Sequence, residues 1–457
     1  MPHSPARFPR FPRFPRVAVR AALLALGLMA TAPLAAQGPY PDPAQRVLTH
    51  REQAPIQRGW IVKRFDTVLP ELMTRTAIDM WIVVSREYND DPVFRSMAPI
   101  TTYSSRRRTI LVFVNPGAGK PVERYSIGRD YDNLYTVVPA TNDGQWQGLR
   151  TLVEQKDPTV IGVNESEAWN HADGLTANEK KALLQALGDK YAARVKSAEM
   201  LAVGWLEHKL PEELEAYRHV MQVAHLVIRE AFSNTVITPG TTTTEDVVWW
   251  MRQRVVEMGL GKWFHPSVTI WRQGGTNGDL VIKPGDMLHT DFGLVYLGLS
   301  TDTQHLAYVL NPGEADAPLG LKAGLKAANR LQDLTMQFAQ VGRTGNQALR
   351  DARMQAVKEG LVPSIYCHAI GYHGHAAGPP IGMTDYQEGV PVRGDYQFRP
   401  STWHSIELNA THKVPEWGGQ EVRFALEEDA ALLPDGSWSW VLKRQDQFHL
   451  IEPGPKM

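Results

Sequence analysis

Cysteine is almost missing from this 457-residue chain, which has one, Cys367. A single thiol excludes an internal disulfide framework and any thiolate metal cluster, so a metal here must be held by oxygen and imidazole. An excess of either charge is missing too: 48 Lys+Arg stand against 49 Asp+Glu, a formal net charge of -1. That balance argues against nucleic-acid binding through the overall field, though not against a local basic patch. Beyond residue 36 no apolar run reaches the roughly 20 residues that a membrane-spanning helix needs, and there is no short-period internal repeat. What remains is the composition of a soluble globular protein, with 43% hydrophobic and 21% charged residues. At about 150 residues per domain, the length suggests two or three domains.

The first 36 residues differ from the rest. Arg7-Phe8-Pro9 repeats three times and ends at Arg16, Arg20 follows, and Ala21 to Ala36 carries no charge. A basic start, a short apolar stretch and a small-residue end at Ala35-Ala36 describe a secretory signal peptide, with an uncleaved membrane anchor as the alternative. The expectation is export, to a periplasmic or extracellular space, with no stable membrane insertion once the segment is cleaved.

From about residue 58 to 205, helical and strand patterns alternate. Met80–Val84, Thr109–Val114 and Thr159–Val163 read as buried strands and Lys180–Leu187 as helix, which makes an α/β domain over 37–205. Leu210-Pro211-Glu212-Glu213 is a helix start, followed by apolar residues at helical spacing from Leu214 to Phe232. Thr242 with Glu245 reads as a capping box for a second helix running towards Met258-Gly259. Later helices are expected around Leu321–Phe338 and Asn346–Glu359. The domain boundary is placed near residue 205, and a second domain, mixed α and β, runs over 206–457.

Four places in the second half carry chemistry. Asp291 in His289-Thr290-Asp291-Phe292-Gly293 and Asp302 in Ser300-Thr301-Asp302-Thr303 are 302 − 291 = 11 residues apart. Two strands joined by a turn would bring them together, whereas taken alone they read as surface or capping acids. His368, His373 and His375 fall within eight residues, in a chain with 15 histidines. Glu407 closes a strand-like run. Glu427-Glu428-Asp429 interrupts an apolar strand, an expensive placement unless a cation pairs with it. Four carboxylates and one imidazole make a hard, oxygen-rich donor set that suits Mn, Co, Fe or Zn, and two ions sharing bridging carboxylates. The chemistry implied is hydrolysis.

The order Asp, Asp, His, Glu, Glu resembles the pita-bread metallopeptidases, which include methionine aminopeptidase, Xaa-Pro aminopeptidase and prolidase, with creatinase as a non-metal relative. The resemblance covers most of 206–457. The domain before it resembles the non-catalytic domain of the creatinase, prolidase and Xaa-Pro aminopeptidase branch. It implies Asp291, Asp302, His368, Glu407 and Glu428 as ligands of two divalent ions (Mn, Co or Zn) and a metal-bridging hydroxide that hydrolyses Xaa-Pro peptide bonds. It further implies Glu407 as general base, His375 as a catalytic contact to the substrate carbonyl, Arg423 as a substrate contact, and a homodimer.

Three departures follow from the same comparison. The family's Pro-His step is missing: 264–275 holds only His265, at the head of a strand. Leu408 stands where the family carries proline. Arg423 lies five residues before Glu428, so either the strand bulges or Glu427 is the last ligand. His289, His305 and Cys367 read as structural residues and His373 as a loop residue. Two other readings stay open. One is a creatinase-like hydrolase without metal; the other is a protein that keeps fold and metals but has lost turnover.

Overall fold

Strand β1 (Met80–Arg86) is apolar on both faces, and this sets the amino-terminal architecture. The computed structural model describes residues 40–117 and 119–454, so the expected signal segment lies outside the described residues. β1 pairs with β2 (Arg108–Val114), which continues to β3 (Glu123–Ile127) and β4 (Thr136–Val138); on its other side stand β5 (Ile161–Val163) and β6 (Val195–Ser197). Successive side chains of a strand point to opposite faces. Met80, Ile82 and Val84 therefore meet helices α2 (Gln145–Lys156) and α3 (Ala177–Ala192) through Leu149, Val153, Leu183 and Leu187. Trp81 and Val83 meet α1 (His50–Arg75) and α4 (Glu199–Glu207) through Phe65, Leu69 and Trp205.

The three expected strands fall at β1, β2 and β5. The boundary placed near 205 falls inside α4, and no gap in packing marks it. One core holds Phe65 and Trp205 together with Tyr217, Met221 and Phe292 of the following segment.

Pro211 opens α5 (Pro211–Ala231), and α6 (Thr244–Glu257) follows. The cap of α6 is one residue later than expected: Thr243, not Thr242, accepts from the Asp246 N–H. Next come β7 (Ser267–Trp271), β8 (Met287–Phe292), the hairpin β9 (Val295–Tyr296) and β10 (Leu299–Ser300), and β11 (Thr303–Val309). Helices α7 (Leu319–Phe338) and α8 (Gly345–Lys358) lead to β12 (Val362–Ile365), β13 (His368–Ala369), β14 (Thr402–Ser405), β15 (Leu408–Val414), β16 (Gln420–Leu426), β17 (Asp429–Leu432), β18 (Trp438–Trp440) and β19 (His449–Ile451).

Three larger sheets, β19-β11-β8-β7, β12-β15-β16 and β13-β14-β17-β18, and the two-stranded β9–β10 hairpin lie in the carboxy-terminal domain. Alternation along β8 and β11 decides what faces what. Leu288, Phe292, Ala307 and Val309 join the core under α5 and α6. Met287, Leu306 and Tyr308 join the core under α7 and α8, with Leu408, Phe424 and Leu426. Among the described residues no helix is long and apolar enough to cross a membrane.

Candidate metal centre

The acids and the histidine of the centre sit where strands begin, end or break. Asp291 is next to last in β8, and Asp302 immediately precedes β11. His368 opens β13, Glu407 lies between β14 and β15, and Glu427 lies between β16 and β17. Anchored backbone on either side fixes such side chains more tightly than a loop would. Gly293 lets the chain fold back from Asp291 to Asp302. A Cβ there would stand 2.4 Å from the Thr301 carbonyl oxygen and 2.5 Å from Trp263 Nε1, so glycine is required by close approach.

His368 Nε2 lies 3.5 Å from Asp302 Oδ2, 3.3 Å from Glu427 Oε1 and 3.9 Å from Glu407 Oε2. One oxygen each from Asp291, Asp302 and Glu427 lie within 4.8 Å of one another, as do donor atoms of His368, Glu407 and Glu427. His368 Nδ1 stands 2.9 Å from the Ala369 carbonyl oxygen, to which it donates. That leaves Nε2 as the atom aimed at the acids.

Burial raises all four acids. Asp302 and Glu427 are pushed well above the carboxylate range, by burial and then by neighbouring carboxylates. Asp291 and Glu407 are raised too, again chiefly by burial. Burial alone would lower His368, but Glu427 and Glu407 beside it outweigh that and hold it up to about 9. Acids this close cannot all ionise unless positive charge joins them.

Asp291 Oδ1, Asp302 Oδ1 and His368 Nε2 are buried without a hydrogen-bond partner. Such atoms cost roughly 1–3 kcal/mol each when left alone. Divalent ions would satisfy the three atoms and the surplus negative charge together, and the oxygen-rich donor set fits them.

Gln304 is a member of the centre that sequence reasoning missed. Its Nε2 donates to Glu407 Oε1 at 2.6 Å and to Glu427 Oε2 at 3.0 Å, and its Oε1 accepts from His289 Nε2 at 2.9 Å. Its backbone bridges that of Glu427, N to O at 3.1 Å and O to N at 3.2 Å. One amide thus orients two acids. Gln304→Leu is expected to lower metal affinity or turnover about 10–100-fold, measured by cobalt titration and kcat; values within twofold of the parent would remove Gln304 from the centre. Asp429, flagged with its two neighbouring acids, stands behind the cluster. Its Oδ2 accepts from the Asp302 N–H at 3.3 Å and lies 2.7 Å from the Tyr217 hydroxyl.

One expectation needs correction. Glu428 is not in the cluster; Glu427 is. The register pairs Ser405 with Asp429 and Leu408 with Leu426, so Glu427 lies across from Glu407 and Glu428 across from Ile406. Glu427 accepts from the Ser405 hydroxyl at 2.7 Å and faces His368, whereas Glu428 turns towards α5 and meets His225. Arg423 is exposed and donates to the Tyr366 hydroxyl at 3.2 Å, and its contacts do not include the acids.

His375 does reach the cluster. Its ring stands edge-on to His368, 4.6 Å between centroids, with an exposed side. Burial, then the charge of His368, lowers it to about 4, so it is neutral at pH 7. His265 lies elsewhere, against Arg252 and Trp249. Cys367 is buried, its thiol donating to the Glu407 carbonyl at 3.1 Å. His373 packs on His171 of the amino-terminal domain.

Residues 215–425 match the model of metallopeptidase family M24. An X-Pro aminopeptidase from Thermotoga maritima has the same fold at 15% identity and a TM-score of 0.60, covering 84% of this chain and 99% of its own. A dipeptidase from Pyrococcus horikoshii does so at 14% identity and 0.58, with 84% and 99% covered. An Xaa-Pro dipeptidase from Bacillus anthracis does so at 16% and 0.56, with 86% and 99% covered. No curated protein matches the chain by sequence. The expected mixed fold therefore stands, with an α/β domain ahead of a pita-bread domain, and within the latter residues 215–425 are similar to metallopeptidase family M24.

Proposed function

We propose that the chain is an exported, dinuclear metal-dependent peptidase that cleaves Xaa-Pro bonds, of aminopeptidase P or prolidase type. The observation that carries this is the convergence of Asp291, Asp302, His368, Glu407 and Glu427 with three of their buried donor atoms unpartnered. The substrate class is supported by the X-Pro aminopeptidase and Xaa-Pro dipeptidase that share the fold.

Two divalent ions bound there would supply an activated water and polarise the scissile carbonyl. The remaining work falls to the chain. Gln304 holds Glu407 Oε1, so Oε2 is the atom that takes a proton from the water and returns it to the proline nitrogen as the amine leaves. Neutral His375 hydrogen-bonds the substrate carbonyl as negative charge develops on its oxygen. Arg423, held by Tyr366, borders the substrate and not the ions.

Export rests on the basic and apolar pattern of residues 1–36. A homodimer and a peptide as the sole macromolecular partner complete the proposal. The test is digestion of Xaa-Pro dipeptides and longer Xaa-Pro peptides by the full chain loaded with Mn²⁺, Co²⁺ or Zn²⁺. Release of the first residue, its loss on chelation and its return with metal are expected. Tightly bound metal without cleavage of any member would sink the reading. It would favour instead a metal-binding protein without turnover, as the missing Pro-His step suggests.

A further inference from the structure

A second knot of ionisable side chains lies on the opposite face of the β8–β11 sheet. His225 comes from α5, His305 from β11 and Glu428 from the break after β16. All three are buried, at 8%, 4% and 1% exposure. His225 Nε2 is 3.0 Å from Glu428 Oε1, and His305 Nε2 is 3.3 Å from Glu428 Oε2. Donor atoms of the three lie within 4.8 Å of one another, and the two imidazole rings stand 4.9 Å apart between centroids.

A buried ion pair needs one histidine for one glutamate. Here two imidazoles from separate elements aim the same ring nitrogen at one carboxylate. The spacings resemble the edges of a tetrahedral metal shell, where bonds of about 2.0–2.2 Å put neighbouring ligands about 3.3 Å apart. A third imidazole stands behind: His449 Nε2 is 3.0 Å from His305 Nδ1. With Nε2 of His305 as ligand, Nδ1 carries the proton and donates to His449, the outer partner that metal-bound imidazoles usually have. Asp429 adds nearby negative charge and Lys443 opposes it.

We propose that His225, His305 and Glu428 form a further divalent-metal site, of the zinc class, distinct from the acid cluster. Two imidazoles and one carboxylate are a zinc-type donor set. Three ligands leave the fourth position of a tetrahedral zinc to water, and the burial of all three keeps substrate away, so the ion would serve as a tie between elements. It fastens α5 to β11 and to the peptide that carries Glu427, one residue away. The site does not depend on the peptidase reading.

Crystals of the full chain soaked in zinc chloride decide the matter by anomalous scattering at the zinc edge. A peak bonded to His225 Nε2, His305 Nε2 and a Glu428 oxygen is expected. No peak there overturns the proposal, whatever the acid cluster holds. A peak there with none among the acids keeps it and overturns the dinuclear centre instead. In solution, His225→Asn and His305→Gln should each lower bound zinc by one equivalent after loading and desalting. Unchanged stoichiometry in the folded variants counts against the site, and if neither variant folds the soaked crystal still decides.

Discussion

Glu407→Gln is expected to lower kcat by about 10²–10⁴-fold, the usual contribution of a positioned general base. The substitution keeps the shape of the side chain, and an amide oxygen can still accept the Gln304 N–H now received at 2.6 Å. It cannot take a proton from water at neutral pH, and it removes one negative charge from the cluster. The two effects separate on measurement. Bound metal, counted after desalting, should fall less than turnover does, and KM should change less than kcat. A variant that holds metal and keeps more than a tenth of parental kcat would show that the proton moves through another group.

The second large effect distinguishes neighbouring acids. Glu427→Gln removes a carboxylate that Ser405, Gln304 and His368 all face. Metal affinity should drop by on the order of 10²-fold or more, beyond the usual cost of losing an outer partner, and activity with it. Glu428→Gln should act on stability. Burial opposes a charged His225, but Glu428 beside it holds the imidazole above its ordinary range, and the pair is buried. Loss of the carboxylate leaves the His225 and His305 ring nitrogens with poorer partners, a cost of about 1–3 kcal/mol. Urea unfolding should register that loss, while turnover per folded molecule stays within a few-fold of the parent. The reverse pattern would put Glu428 back in the centre.

The two acids also show what a sequence can and cannot carry. Asp291 and Asp302 taken alone read as surface acids and became ligands through the family resemblance; a strand, a glycine turn and a second strand explain why they meet within 11 residues. His368 stood out against a sparse background of histidine. Glu427 and Glu428 could not be separated, because the ladder breaks between Leu426 and Asp429. Phe424, Leu426, Ala430 and Leu432 all join one core, so apolar alternation on either side says nothing about the break itself. Gln304 was invisible for another reason. A glutamine gains its role only from being paired across from Asp291 and bridged to Glu427, and both relations are long-range. Helix α1 was hidden by Pro55 and Pro70 in its interior, although Thr49 and Glu52 form its capping box. The α6 cap slipped by one residue because Thr242/Glu245 and Thr243/Asp246 satisfy the same spacing.

The five donors come from strand boundaries spread over 427 − 291 = 136 positions. A growing polypeptide offers Asp291 and Asp302 early, but Glu427 only when nearly all of it has been made. Ion capture is therefore a property of the finished domain. A fragment released before Glu427 is synthesised would carry acids and an imidazole without a cage to hold them.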